Sequence, residues 1–232
     1  STINAIAQDS LGFMWFGTQD GLNRYDGYEF RAFRHNPDDP GSISANTINF
    51  LYEDAQNTLW VGTDSGLNQY DAQSQTFRHF RNNANDEFSL SNDNVRTIAQ
   101  DSSGDLWIGT DDGLNQYNAK SGKFTRFKHQ PGEPQSLSHN TVNAIYEDSD
   151  SQLWFGTLAG LDKFDRHNHH FSHFLHQATD PYSLSHNEIS AIHGDVNEVL
   201  WIGTIGGGLN RFDRNTQRFS HFKHDSANPH SV

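Results

Sequence analysis

The five tryptophans of this 232-residue chain are evenly spaced. They stand at positions 15, 60, 107, 154 and 201, so the intervals between them are 45, 47, 47 and 47 residues. Each tryptophan opens the same phrase, from WFGTQDGLNRYD at 15–26 to WIGTIGGGLNRFD at 201–213. A period of about 40–50 residues with glycine and aromatic punctuation is typical of β-propellers and similar arrays. We therefore interpret the chain as five copies of one structural unit.

Each copy contains four short segments with the composition of β-strands. In the third copy these strands, labelled A to D, are NVRTIAQD (94–101), LWIGT (106–110), LNQYN (114–118) and FTRFKH (124–129). Turns rich in Asp, Ser and Gly separate them, which predicts a four-stranded antiparallel meander. The unbroken apolar triplet of strand B predicts cover on both faces of the sheet, as neighbouring blades of a propeller provide.

The predicted fold is therefore an all-β propeller of five four-stranded antiparallel blades in a single domain. The approximate blade boundaries are 1–43, 44–90, 91–137, 138–184 and 185–232. Each blade is contiguous in sequence, so a closed ring requires side-chain packing between the first and last blades. The alternative is an open arc of five blades from a larger ring, for example one of seven blades, whose bare ends would favour a homo-oligomer.

Charge and composition restrict the kinds of partner. The formal net charge is −13, with 16 Lys and Arg against 29 Asp and Glu, so we expect no nucleic-acid binding and no contact with anionic lipid. The chain has no cysteine, which excludes disulfides, a thiolate nucleophile and Cys-ligated zinc. No apolar run of 18 residues is present, and we expect the chain to be a piece of something longer.

The recurring phrase, L/M-W-x-G-T-x-x-G-L-N/D-x-Y/F-D/N, is preceded by S-L-S-x-N, as at 136–140, and followed by F-x-x-F. It resembles the repeat of the two-component regulator propellers, and matching copies cover essentially the whole chain. The resemblance implies the periplasmic sensor region of a bacterial hybrid histidine kinase or diguanylate cyclase receptor, with oligosaccharides as ligands. Such sensors generally carry more repeats, and no kinase, cyclase or transmembrane segment is present in this sequence.

Ligand-binding residues are expected where the D–A loops and the B–C turns emerge together, because loops on a rigid repeat scaffold carry binding. The B–C turns of copies 1 to 3 present acids, and those of copies 4 and 5 do not. The candidates are Asp20, Asp64, Asp111 and Asp112. The alternative for each is that Asp is simply a good turn residue.

Two further slots on this face supply candidates. Phe88 and Tyr182 stand in the D–A loops, where an exposed aromatic can stack on a sugar ring or pack onto the next blade. Near the start of strand A one slot is polar in every copy and contributes hydrogen-bonding groups near the predicted axis, or else lines a water-filled channel. Its candidates are Asn4, Asn49, Arg96 and Asn143.

The histidine-rich segment HNHHFSHFLH (167–176) has the composition of a metal-binding tract. Phe171 and Phe174 nevertheless fill the ordinary strand D slots, so we expect the histidines to face solvent at the outer edge. No metal site, no cofactor and no catalytic residue is predicted.

The sequence thus predicts a non-catalytic, periplasmic sensor that binds a carbohydrate or another small polar ligand, with an oligosaccharide as the first expectation. A glycoside hydrolase or polysaccharide lyase is the runner-up. Glycoside hydrolysis needs two carboxylates about 5–9.5 Å apart, and Asp64, Asp111 and Asp112 lie on adjacent turns. A protein-interaction platform is the third alternative.

Overall fold

The computed structural model describes residues 2–197, 199–228 and 231. The described part of the chain forms no helix, and thus none of the length and hydrophobicity needed to cross a membrane. The chain divides into two compact units, Ser1–Arg126 and Phe127–Val232. The fold is all-β and consists of five four-stranded antiparallel sheets, which are the five predicted blades.

Each blade is built from four consecutive strands that pair in sequence order. Strands of blades 1 to 3 are β1 Ile3–Gln8, β2 Met14–Thr18, β3 Gly21–Tyr25, β4 Phe30–Phe33, β5 Ile48–Glu53, β6 Leu59–Thr63, β7 Gly66–Asp71, β8 Thr76–Phe80, β9 Val95–Gln100, β10 Leu106–Thr110, β11 Gly113–Asn118 and β12 Lys123–Phe127. Strands of blades 4 and 5 are β13 Val142–Glu147, β14 Leu153–Thr157, β15 Leu161–Asp165, β16 His170–Phe174, β17 Ile189–Gly194, β18 Leu200–Thr204, β19 Gly208–Asp213 and β20 Arg218–Phe222.

Neighbouring blades within each unit pack face to face through their tryptophans. Trp15 of blade 1 is buried and meets Tyr70 of blade 2 edge to face, with ring centroids 5.2 Å apart. The same contact joins Trp60 to Tyr117 in the first unit and Trp154 to Phe212 in the second. Burial of the indole area, with the edge-to-face geometry that aromatic rings prefer, stabilises the contact between blades. The predicted cover on both faces of strand B is confirmed for blades 2 to 4, where every residue of the strand is buried.

An aspartate at the end of strand A holds each tryptophan. In blade 2 the indole Nε1 of Trp60 donates to Asp54 Oδ2 at 2.8 Å, while Asp54 Oδ1 accepts the backbone N–H groups of Gln56 and Thr58. One carboxylate therefore closes the A–B turn and also orients the indole. The equivalent indole bonds join Trp15 to Asp9, Trp107 to Asp101, Trp154 to Asp148 and Trp201 to Asp195.

A second buried polar network ties the D–A loop to the blade that follows it. In blade 2, Ser44 Oγ lies 2.9 Å from Thr63 Oγ1, and Ser44 N donates to Asn68 Oδ1 at 2.9 Å. Equivalent serine N–H groups bind Asn115 in blade 3 and Asn210 in blade 5. Blade 4 has Asp162 in this position, fully buried, which accepts from Ser138 N at 2.8 Å.

Candidate functional site

The D–A loops and B–C turns emerge at the same edge of each sheet, because strands A to D run antiparallel in sequence order. All ten candidate residues lie on the elements that reach this edge: the start of strand A, the B–C turn and the D–A loop. Glycines at the end of the B–C turns have the expected positive φ, for example 121° at Gly66 and 129° at Gly113.

The polar slot of strand A is a β-bulge. In blade 2, Ile48 pairs with Thr63 and Phe50 with Gly62, so Asn49 is the extra residue between two paired ones. A bulge leaves one residue out of the ladder and re-aims its side chain. The same register shift leaves the other three candidates of this slot outside the ladder: Asn4, Arg96 and Asn143.

Bulged asparagines bridge adjacent blades. Asn4 Nδ2 donates to the carbonyl of Ile48, the first residue of strand A in the next blade, at 2.9 Å. Asn143 makes the equivalent bond to Ile189 at 2.9 Å within the second unit. These amides therefore join neighbouring A strands, a structural contribution that the sequence analysis missed.

Three candidates from blades 2 and 3 meet in one hydrogen-bonded cluster in the first unit. Asn49 Nδ2 donates to Asn94 Oδ1 at 2.9 Å, and Asn94 Nδ2 donates to Asp111 Oδ2 at 2.5 Å. The guanidinium Nε of Arg96 donates to Asp111 Oδ1 in an ion pair. We call these four residues, Asn49, Asn94, Arg96 and Asp111, the amide–acid cluster.

The amide–acid cluster combines side-chain donors and acceptors in a partly exposed position. The side chain of Arg96 is 40% exposed and that of Asp111 is 35% exposed. Amide, guanidinium and carboxylate groups together match the donor and acceptor pattern of hydroxyl groups. Asn94 was missed in the sequence because it stands two residues before the polar slot of strand A. Asp112 lies next to the cluster in the same turn, and its backbone N–H donates to Thr110 Oγ1 at 3.2 Å.

The acids of the first two B–C turns make local contacts instead. Asp20 forms an exposed ion pair with Arg34, with Nη2 and Oδ2 2.8 Å apart. Asp64 accepts a hydrogen bond from the neighbouring Ser65 hydroxyl at 3.1 Å.

Phe88 and Tyr182 lie beside strand D of the blade that follows their loop, across that sheet from strand A. The Phe88 carbonyl accepts the N–H of Phe124 in strand D of the next blade, and the Lys123 ammonium lies 4.0 Å from the Phe88 ring centroid. Tyr182 repeats this arrangement with Arg218 at 4.5 Å. Strand D is three strand spacings from strand A, or about 14 Å. Phe88 is therefore separated from the amide–acid cluster by about the width of a blade.

The expectation that the histidines of 167–176 face solvent is wrong at His173. Its side chain is only 21% exposed, and Nδ1 lies 2.7 Å from Asp162 Oδ1. The cause is the position of His173 on strand D, where Nε2 lies 2.9 Å from the Pro134 carbonyl oxygen of the D–A loop. His79 and His221, at the same position in blades 2 and 5, contact D–A loop carbonyls in the same way and are also half-buried. Asp162 stands where the other four blades have asparagine, a substitution that comparison of the repeats would have revealed. Among the described residues no group of three or more His, Cys, Asp or Glu is arranged to hold a metal ion.

At the opposite edge, where the A–B and C–D turns emerge, the second unit has a polar groove of about 280 Å³ between blades 4 and 5. Its lining includes Trp154, Lys163 and Arg214. Arg214 Nη1 donates to Asp148 Oδ2 at 2.9 Å and to Asp150 Oδ2 at 3.2 Å. This ion-pair network links the turns of the two blades, and sequence reasoning placed no candidate there.

Comparison with known proteins supports the repeat assignment. The profile of the two component regulator propeller matches four segments, residues 1–20, 42–65, 89–112 and 136–159. A histidine kinase P4 of Formosa agariphila is 50% identical over 44 residues, which are 19% of this chain and 3% of that protein.

Solved structures show the same fold. The extracellular domain of a putative hybrid two component system from B. thetaiotaomicron superposes with a TM-score of 0.82 and 29% identity, covering 94% of this chain and 29% of that one. Virginiamycin B lyase from Staphylococcus aureus superposes with a TM-score of 0.69 and 13% identity, covering 97% of this chain and 70% of the lyase. At that identity the lyase shows the fold alone. The chain thus spans less than a third of that solved extracellular domain and 3% of the histidine kinase.

Proposed function

We propose that the chain is a non-catalytic ligand-sensing propeller of a two-component-type receptor, because the two component regulator propeller profile matches segments in four of its five repeats. The similar solved domain is described as extracellular, which supports a position outside the inner membrane, in the periplasm for a bacterial receptor. Signal output then belongs to other parts of such a receptor, because the similar proteins are several times longer than this chain.

The proposed ligand is an oligosaccharide or another small, neutral polyhydroxylated molecule. The single observation that carries this proposal is the amide–acid cluster, which presents a guanidinium, amides and a carboxylate on the edge where loops meet. Asn49 and Arg96 lie on strands β5 and β9. Asn94 and Asp111 each lie directly beside a strand end and are held by hydrogen bonds within the cluster, so little ordering is needed when a ligand binds. The acidic charge of the chain also disfavours anionic ligands.

The same geometry argues for binding rather than hydrolysis at Asp111. The general acid of a glycosidase carries a proton and donates it to the oxygen of the leaving group. In Asp111 both carboxylate oxygens accept hydrogen bonds, from Asn94 and from the Arg96 cation, which is the arrangement of an acceptor rather than of a proton donor. The virginiamycin B lyase has this fold, but fold alone does not transfer its chemistry.

Calorimetric titration with defined oligosaccharides tests the proposal. We expect saturable binding that falls about tenfold or more in Arg96→Gln, since loss of one charge-assisted hydrogen bond costs roughly 1.5–3 kcal/mol. Asp20→Asn is the matched control, because Asp20 is an exposed B–C turn acid outside the cluster. Absence of binding across neutral glycans, or equal loss in the control variant, would contradict the proposal. Release of shortened sugars by the wild-type protein would establish the hydrolase alternative instead.

A further inference from the structure

Blade 4 departs from the other blades at positions that surround one cavity. This cavity has a volume of about 270 Å³ and lies between the D–A loop that enters blade 4 and the ends of that blade's own strands. Its lining includes Glu133, Pro134, Leu137, Ala159, His173 and Leu175. All of these residues belong to the second unit. We call it the blade 4 cavity.

An apolar pair replaces an ion pair on one wall of the blade 4 cavity. In blade 1 the second residue of the B–C turn is Asp20, and it binds Arg34, the residue that follows strand D. The same two positions in blade 4 hold Ala159 and Leu175. The other blades keep a basic residue after strand D: Arg81, Lys128 and Lys223. The Leu175 side chain lies over Gly160, just as that of Arg34 lies over Gly21. This wall is therefore formed by the two positions that carry an ion pair in blade 1, occupied in blade 4 by uncharged side chains.

A longer acid stands at the rim. In the loop that enters blade 3, Asp86 Oδ1 accepts the backbone N–H of Phe88 at 3.0 Å, and Asp180 binds Tyr182 in the same way in the loop that enters blade 5. The loop that enters blade 4 has Glu133 at this position. Glutamate has one more methylene group than aspartate, and Glu133 is exposed and lines the cavity. A carboxylate that closes the turn elsewhere thus stands beside an apolar wall here.

His173 forms another part of the cavity lining, and its imidazole is held in place by two hydrogen bonds. His173 Nδ1 lies 2.7 Å from Asp162 Oδ1, and Nε2 lies 2.9 Å from the Pro134 carbonyl oxygen. Both partners are acceptors, so the imidazole donates from both nitrogens as an imidazolium when Asp162 is ionised. The bond to Pro134 ties the D–A loop to strand D along this side of the cavity.

We propose that the blade 4 cavity is a binding site for a small organic cation with an apolar body, such as an arylalkyl or branched alkyl ammonium ion. The apolar group lies against Leu137, Ala159 and Leu175, and the ammonium group donates to the Glu133 carboxylate. The acidic charge of the chain favours approach of a cation. This site is separate from the amide–acid cluster, which belongs to the first unit, and it does not depend on the function proposed for that cluster.

Benzylamine, protonated at neutral pH, and its uncharged analogue benzyl alcohol are the probes. Titration of the full chain, followed by two-dimensional NMR, should show saturable shifts of residues around the cavity with benzylamine. Benzyl alcohol should bind about tenfold more weakly, because it lacks the charge-assisted hydrogen bond. In Glu133→Gln the affinity for benzylamine should fall by about tenfold and approach that of the alcohol, whose affinity should hardly change.

A double variant that restores the ion pair tests the role of the apolar wall. Ala159→Asp combined with Leu175→Arg restores in blade 4 the ion pair that blade 1 already carries, so it is compatible with the fold and should fill the cavity. Both probes should then cease to bind. Asp20→Asn in blade 1 should leave binding unchanged. Three outcomes would each overturn the proposal: equal affinity of the wild type for the two probes, no binding of either probe, or unaltered benzylamine binding in Glu133→Gln. The Glu133→Gln measurement remains valid even if the double variant does not fold.

Discussion

His173 Nδ1 lies 2.7 Å from Asp162 Oδ1, and the aspartate is fully buried in the sheet of blade 4. The hydrogen bond to Asp162, together with the charge of that carboxylate, raises the pKa of His173 above the usual value of 6.5. Burial raises the pKa of Asp162. Both shifts mean that the folded protein binds protons more tightly than the unfolded chain does at these two positions.

This pair makes the unfolding free energy depend on pH. A histidine with a raised pKa in the folded state contributes stability that is fully present below its unfolded pKa of about 6.5 and is lost as pH rises through the folded pKa. The raised pKa of Asp162 acts in the same direction from about pH 3.8 upward. We therefore expect the free energy of unfolding from chemical denaturation to fall as the pH rises above about 6.5.

Asp162→Asn isolates the contribution of the pair from those of the other histidines. The variant restores the asparagine of blades 2, 3 and 5, where Asn68 lies opposite His79 in the same register. We expect its stability to fall less than that of the wild type as the pH rises above about 6.5, and to exceed that of the wild type once His173 has lost its proton. Parallel pH profiles for the two proteins would show that the pair does not titrate in this range.

The aspartates that bind the indoles should contribute strongly to stability. Asp54→Ala removes the acceptor of Trp60 Nε1 and of two backbone N–H groups. We expect a loss of about 2–3 kcal/mol in the free energy of unfolding, since the donors that the carboxylate binds are left unsatisfied. Asp64→Ala, in an exposed B–C turn, is the control and should change stability by about 0.5 kcal/mol or less. Similar effects of the two substitutions would contradict this account of the A–B turn.

Blade architecture was predictable because each repeat carries the same pattern. For blade 3 the predicted strands 94–101, 106–110, 114–118 and 124–129 differ from the observed ones by only one or two residues at most ends. Apolar triplets, turn residues and the period all favoured one answer, and local consistency of this kind makes a fold predictable. Ring closure stays a prediction, as do the single domain and the ligand-binding assignments.

The contacts between side chains were harder to predict from the sequence. The slot of Asn49 was recognised as polar, but its role in joining A strands depends on a bulge, which periodicity does not reveal. The half-buried position of His173 was not evident because its contacts come from Asp162, directly opposite in the sheet, and from the Pro134 carbonyl in the D–A loop. Such contacts depend on register between strands, whereas composition reports only on single segments.

The glycine that follows the apolar triplet of strand B should be required for stability where strand A of the next blade packs against it. A Cβ atom on Gly62 would lie 2.6 Å from Val95 Cγ1 and 3.2 Å from Val95 Cβ, in strand A of the next blade. We expect Gly62→Ala to lower the free energy of unfolding by about 1–3 kcal/mol through overpacking. The control is Gly203→Ala, since the atoms nearest to a Cβ there would be the Ser190 hydroxyl at 3.0 Å, Ala191 Cβ at 3.8 Å and Ala191 N at 3.9 Å. Equal tolerance of the two alanines would mean that Val95 moves aside without cost.

The contact between Phe88 and Lys123 should be measurable although both groups are at the surface. The ammonium lies 4.0 Å from the ring centroid, and Phe88 as a residue is 44% exposed. A double-mutant cycle with Phe88→Ala and Lys123→Ala should give a coupling energy of about 0.5–1 kcal/mol, as expected for an exposed cation–π pair. The Tyr182 and Arg218 pair offers an independent repeat of the same cycle in the second unit. Zero coupling in both cycles would show that these cations do not hold the rings.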